Sequence, residues 1–216
     1  MNNKVFILSY KKSNKFTEVS EVSKKRFQEM KYKPVIIEGY NLSENPEIKP
    51  NEVCYRNIQD FILDKLKTTK HKGILVAEDD AYISEILTPS FLFKRLKTHD
   101  YLNNIVRIGY QKVLKFKKGK AYPRGFYCVG TQLIWFPKSK YEKIKRVFDE
   151  NRPQHLDGFL SKNMDLKIKL LDREEQKKEK YVEEIEHFST TIGRTRKGIK
   201  INNIKKKSRK RKTNKN

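Results

Sequence analysis

Three consecutive carboxylates, Glu78-Asp79-Asp80, directly follow the apolar run Gly73-Ile-Leu-Val-Ala77. They belong to a chain of 216 residues with 50 Lys+Arg against 26 Asp+Glu, a formal net charge of +24. Adjacent acids after a buried-type strand repel one another, and a bound cation would offset that cost. In extended backbone, residues i and i+2 point to one side, which predicts that Glu78 and Asp80 converge while Asp79 faces away. Two oxygen donors with open positions suit Mg²⁺ or Mn²⁺, whose shells are completed by water and substrate phosphates. The competing reading is a solvated turn in which Lys65, Lys67 and Lys72 neutralise the acids. Nucleases also cluster acids, but the second acid and the Lys that many carry one strand later find no match here.

The elements that must hold the triplet are legible as alternating short strands and helices. Val5–Ser9 and Pro34–Glu38 read as strands, separated by a helix from about Thr17 to Met30. Asn51 to Lys67 reads as a helix through Val53, Ile58, Phe61, Ile62 and Leu66, and Gly73–Ala77 as the strand that ends in the acids. Further on, 104–109, 112–118 and 131–136 read as strands, 138–150 and 155–162 as helices, and 166–171 as a partly alternating strand. The stretch 174–186 is either an exposed helix or a loop. Short strands that are apolar on both faces point to an α/β fold, a mostly parallel sheet flanked by helices. Ligands of such sheets collect at the carboxyl ends of the strands. The loop after Val5–Ser9 would then share an edge with the triplet, so that Lys11, Lys12 and Asn14 could reach a nucleotide.

Charge is unevenly placed. Residues 194–216 hold twelve Lys/Arg and no acid, so half of the excess belongs to a tail expected to be disordered, and +12 remains on residues 1–193. We therefore expect one domain, 1–193, followed by a basic tail. Between residues 112 and 127, Lys112, Lys115, Lys117, Lys118, Lys120 and Arg124 alternate with Phe116, Tyr122, Phe126 and Tyr127, again without an acid. Cations for phosphates and aromatic faces for bases are what a nucleic-acid surface requires, and a solvated hairpin with its aromatics in the core is the plainer reading. Arg194 and Arg196 extend the same sign of charge. No apolar run approaches a membrane span, and Val5–Leu8 is too short for a secretory signal. Cys54 and Cys128 supply neither a disulfide scaffold nor a zinc site. These features lead us to expect a soluble, cytoplasmic protein.

The segment Ile74-Leu-Val-Ala-Glu-Asp-Asp-Ala-Tyr-Ile83 resembles the "LxxEDD" segment of glycosyltransferase family 25. Gly130-Thr-Gln-Leu-Ile-Trp-Phe-Pro-Lys-Ser139 resembles that family's strand-to-helix passage. His155-Leu-Asp157 resembles a later Asp-bearing helix, and Phe188-Ser-Thr-Thr-Ile192 a terminal stretch. The resemblance implies a GT-A-like, Rossmann-like fold and a metal-dependent transfer of sugar from a nucleotide sugar, a UDP-sugar such as UDP-glucose. It implies Asp80 and Glu78 as Mn²⁺ or Mg²⁺ ligands, with His187 as a late ligand. Ser9, Tyr10, Lys11, Lys12, Asn14, Glu78 and Asp79 would face the donor, and Asp157 would be the base that takes the acceptor's proton. Basic charge then suggests an acceptor in nucleic acid, a hydroxymethylated base in DNA exposed by flipping, in a phage or viral setting within the host cytoplasm. The alternatives are a lipopolysaccharide or protein acceptor, or a nucleic-acid-binding protein without catalysis.

Overall fold

The computed structural model describes residues 3–9, 14–110, 112–115, 117, 126–176, 178, 180–185, 187–189, 194–196 and 198–201. Its strands are β1 (Lys4–Ser9), β2 (Lys33–Glu38), β3 (Gly73–Glu78), β4 (Ala81–Ile83), β5 (Val106–Gly109), β6 (Lys112–Lys115), β7 (Phe126–Val129), β8 (Leu133–Pro137), β9 (Lys169–Leu170), β10 (Val182–Glu184), β11 (His187–Ser189) and β12 (Arg194–Arg196). Its α-helices are α1 (Asn14–Glu29), α2 (Val53–Asn57), α3 (Leu63–Thr68), α4 (Pro89–Thr98), α5 (Tyr141–Asp149), α6 (Leu156–Lys162) and α7 (Arg173–Gln176).

Six strands form the central sheet in the order β2-β1-β3-β8-β5-β9. β1 pairs in parallel with both β2 and β3, and β5 in parallel with β9, whereas β8 runs against its two neighbours. The expected mostly parallel sheet flanked by helices is therefore present, with β8 as its one reversed member. Side chains on adjacent positions of a strand leave opposite faces. Val5 and Ile7, Leu75 and Ala77, and Leu133 and Trp135 consequently enter one core, together with Phe27, Leu92 and Leu96. Phe6 and Leu8, Ile74 and Val76, and Ile134 and Phe136 enter the other, against Ile58, Leu66, Phe148 and Phe159. Each large apolar side chain buried in these layers contributes about 1.5–3 kcal/mol.

The expected helix from Asn51 to Lys67 is observed as α2 and α3 joined by a π-helical segment, Ile58–Ile62. There the N–H of Leu63 donates to the carbonyl of Ile58, five residues back. The extra residue keeps Tyr55, Ile58, Ile62 and Leu66 facing inward, each at most 1% exposed. Tyr55 then reaches across the layer, its hydroxyl donating to the Phe148 carbonyl at 2.5 Å, with its ring 4.7 Å from that of Phe148.

Helix α4 was not anticipated. It opens on Thr88, whose hydroxyl accepts from the Phe91 N–H at 3.3 Å, with Pro89 in the first turn. The expected strand over 166–171 shrinks to two residues, and 174–186 divides into α7 and β10. Among the described residues no helix is long and apolar enough to cross a membrane. The bulk of the basic tail lies outside the described residues.

Candidate functional site

Chain order and sheet order together define a crevice. β1 leads through α1 to β2 on one side, and the chain then crosses to β3 on the other side of β1. The carboxyl ends of β1 and β3 flank this reversal of strand order, the place where open α/β sheets bind ligands. In the β1–β3 register Leu8 stands opposite Glu78, so Ser9 and the acidic triplet lie side by side at this edge.

The triplet departs from the extended geometry assumed for it. β3 ends at Glu78, and Asp79 and Asp80 form a turn before β4, so the i, i+2 rule for strands does not govern them. Asp79 is 4% and Asp80 2% exposed, while Glu78 is half-buried. Asp79 is therefore shielded from solvent. Nor is the solvated-turn reading met, because two of its three carboxylates are buried.

The turn is gripped from three sides. Gln132 accepts the Glu78 N–H through its carbonyl at 3.0 Å, and the Thr131 hydroxyl donates to Glu78 Oε1. The Asp80 carbonyl accepts the N–H of Ile185 at 2.8 Å, beside β10, which pairs with β4. From α1, Ser23 Oγ donates to the Ala81 carbonyl at 2.8 Å and Arg26 Nε to the Ile83 carbonyl at 2.7 Å. The Arg26 guanidinium also lies over the Tyr82 ring, 4.9 Å from its centroid.

Thr131 is held by a second buried device. Arg107, 1% exposed on β5, donates to the Cys128 carbonyl at 2.6 Å and to the Asp157 carbonyl at 2.9 Å. Asp157 Oδ1 lies 3.9 Å from the same guanidinium, and Oδ2 accepts the Gly130 N–H at 2.8 Å. Gly130 has φ +90°, where an added Cβ would also meet the Gln132 amide at 2.5 Å. The pair Arg107–Asp157 thus fixes the corner that delivers Thr131 to Glu78.

The other expected site residues fall as follows. Ser9 is 6% exposed and its hydroxyl shares a hydrogen bond with that of Ser20 at 2.8 Å, so it braces α1 against β1. Asn14 begins α1. Tyr10, Lys11, Lys12, Lys118, Lys120 and Arg124 lie outside the described residues. β6 and β7 form a two-stranded hairpin that leaves the sheet from the Glu78 edge, since β5 leads into it and β7 returns through Gly130. Lys112 starts β6, and Lys115 and Lys117 are exposed. The hairpin is anchored where the Cys128 N–H donates to Ser161 Oγ at 3.1 Å. His187 pairs with Arg196, and Ser189 with Arg194, along the β11–β12 ladder.

Asp157, expected as a base toward the acceptor, is 6% exposed with its carboxylate turned to Arg107 and Gly130. Arg107, Thr131, Ser23 and Arg26 were not singled out as site residues. Arg107 carried a usable signal: a lone cation inside Ile105-Val106-Arg107-Ile108 needs a buried partner. Among the described residues no three His, Cys, Asp or Glu side chains form a cage able to hold a metal on protein ligands alone. What the strand end offers is one or two carboxylates, the donor set with which Mg²⁺ is held when substrate phosphates complete its shell.

No protein-family model matches the chain, and no curated protein matches it. Among solved structures it is similar to a glycosyltransferase involved in the glycosylation of the major capsid of PBCV-1, at 16% identity and a TM-score of 0.42, over 68% of this chain and 65% of that one. It is also similar to residues 1–349 of TarS from S. aureus, at 14% identity and a TM-score of 0.44, over 79% of this chain and 58% of that one. The chain thus spans less than two thirds of the length of either.

Proposed function

We propose that the chain is a glycosyltransferase that uses a nucleotide-sugar donor, a UDP-sugar with Mn²⁺ or Mg²⁺, and an acceptor hydroxyl on DNA. One observation carries the reading: Glu78-Asp79-Asp80 stands at the strand-order reversal between β1 and β3, with Asp79 and Asp80 buried in a chain of net charge +24. The segment's resemblance to the acidic motif of glycosyltransferase family 25 agrees with it.

Glu78 and Asp80 are the residues that would hold the metal, with His187 as a further ligand. When bound, the ion supplies charge stabilisation to the departing diphosphate. Thr131 orients Glu78, and the Arg107–Asp157 pair orients Thr131, so Asp157 works by holding the corner. The β1 carboxyl end at Ser9 would face the donor, with Tyr10, Lys11, Lys12 and Asn14 as further donor contacts. The basic hairpin of β6 and β7 stands at the same edge, where its lysines would bind acceptor phosphates beside the donor. Arg194 and Arg196 on β12 would add basic charge for the same acceptor.

The test is a thermal shift with UDP and Mn²⁺ on the intact chain and on Asp80→Asn. The expected result is a rise in Tm that needs both ligands and disappears in the variant. If neither ligand moves the Tm of the intact chain, the proposal falls. A labelled-sugar transfer assay offering plain DNA, hydroxymethylated DNA and a glycan then decides the acceptor, and transfer to the glycan alone would replace DNA with a carbohydrate acceptor.

A further inference from the structure

The sheet edge opposite Glu78 carries a lysine at nearly every strand end that reaches it. Lys4 and Lys33 open β1 and β2 in register. Lys72 leads into β3, and its carbonyl accepts the N–H of Lys138, the residue after β8, at 2.8 Å. Lys140 donates to Asn104 Oδ1 at 3.1 Å just before β5, and Lys169 opens β9. Glycine-to-glutamate along β3, five residues at about 3.3 Å each, sets this edge roughly 17 Å from the acidic turn.

Some basic charge at such an edge has a local cause. α1, α3 and α4 end here, and cations offset the negative ends of their dipoles. That cause does not extend to Lys138, Lys140 and Lys143. They sit at the start of α5 and the short 3₁₀ turn before it, where the dipole is positive and cations are unfavourable. A cavity of about 540 Å³ opens between them and Lys67, with Glu142 the single carboxylate among its lining residues. Burial, and then the charges of Lys167, Lys143 and Lys169, push the Lys140 ammonium below the usual lysine range. Cations gathered against both dipole and mutual repulsion are stabilised when a polyanion binds.

The geometry points to a docking surface for the phosphate backbone of duplex nucleic acid along this edge, separate from the acidic site and from the hairpin beside it. Six strands at about 4.8 Å spacing give a row roughly 24 Å wide. That is the length of about seven base pairs. A membrane surface would ask for an apolar anchor. The large hydrophobic side chains exposed among the described residues are Ile86 and Met164, one residue each. The inference does not depend on glycosyl transfer.

The experiment measures binding of the intact chain to a fluorescent 20-base-pair duplex across a salt series. The variant carries Lys67→Gln, Lys143→Gln, Lys167→Gln and Lys169→Gln, four lysines on this edge. Each lost phosphate contact lowers the slope of log affinity against log salt by about 0.9, so a drop of about 3.6 is expected, with recovery in the matching four-arginine variant. An unchanged slope overturns the proposal. So does a variant that keeps its duplex binding but loses binding to phosphatidylserine vesicles, which would assign the edge to membranes. Lysine acetylation of the unmutated chain, read by mass spectrometry, gives an independent measurement. Duplex should protect Lys143, Lys167 and Lys169, and equal labelling with and without duplex overturns the proposal as well.

Discussion

Asp157→Asn separates a holding role from a base role. The amide keeps the shape of the carboxylate and can still accept the Gly130 N–H, so the substitution removes little but charge. Arg107 is 1% exposed and its guanidinium cannot shed its proton, so it is left buried without its counter-ion. At 3.9 Å and an effective dielectric constant of about 20, the lost attraction is roughly 4 kcal/mol. This agrees with the ~3–5 kcal/mol found when one partner of a buried pair is removed. For a chain of this size each kcal/mol moves Tm by about 2–4 °C, so a fall of roughly 8–16 °C is expected in a circular-dichroism melt. Adding Arg107→Met should recover part of it: the double variant buries no charge, but the Cys128 and Asp157 carbonyls lose the hydrogen bonds of the guanidinium. A Tm within about 2 °C of the parent would refute the reasoning. Loss of transfer activity with that unchanged Tm would return Asp157 to the role of base.

Two further outcomes follow from packing and from a surface network. Gly73→Ala places a methyl against the Phe136 carbonyl and 2.6 Å from the Trp135 ring, neither of which can rotate away, so stability should drop by about 1–3 kcal/mol in a urea titration. Glu175 is held below the usual carboxylate range, chiefly by its hydrogen bond with Arg95 and then by that from the Tyr181 hydroxyl. A depressed carboxylate stabilises the fold above its unfolded pKa of about 4.3 and loses that contribution as pH falls through the folded value. Glu175→Gln should therefore lower Tm at pH 7, and the gap to the parent should close as the pH drops below about 4.

The layout was legible where side-chain periodicity alone decides it. Val5-Phe6-Ile7-Leu8 and Ile74-Leu75-Val76-Ala77 are apolar at every position because both faces are covered, which reads as a central strand. The same property hides direction: Leu133-Ile134-Trp135-Phe136 would look identical parallel or antiparallel, so the reversal of β8 left no mark. Helix α4 did leave one, in Thr88-Pro89 and the spacing of Leu92, Phe93 and Leu96. The π segment did not, since Ile58 and Ile62 suit either helix. At the site, the run of three acids is plain in the sequence but its geometry is not, because the strand stops at Glu78 and the chain turns. The contact of Thr131 with Glu78 is set by strand order, which joins residues 53 positions apart. No local pattern contains that information.

Reversal of β8 has a mechanical consequence. Five extended residues, Leu133–Pro137, connect the hairpin side of the sheet to the lysine row; all five pair with β3 and Leu133–Trp135 also with β5, so this strut has little slack. A straight duplex lying along one edge cannot also reach the other. Were both edges to bind nucleic acid, one chain would clasp two segments at a fixed separation and act as a tether. The segment gripped from behind would then raise the local concentration of its neighbours at the front, and apparent affinity would depend on polymer length and crowding more than on any single contact.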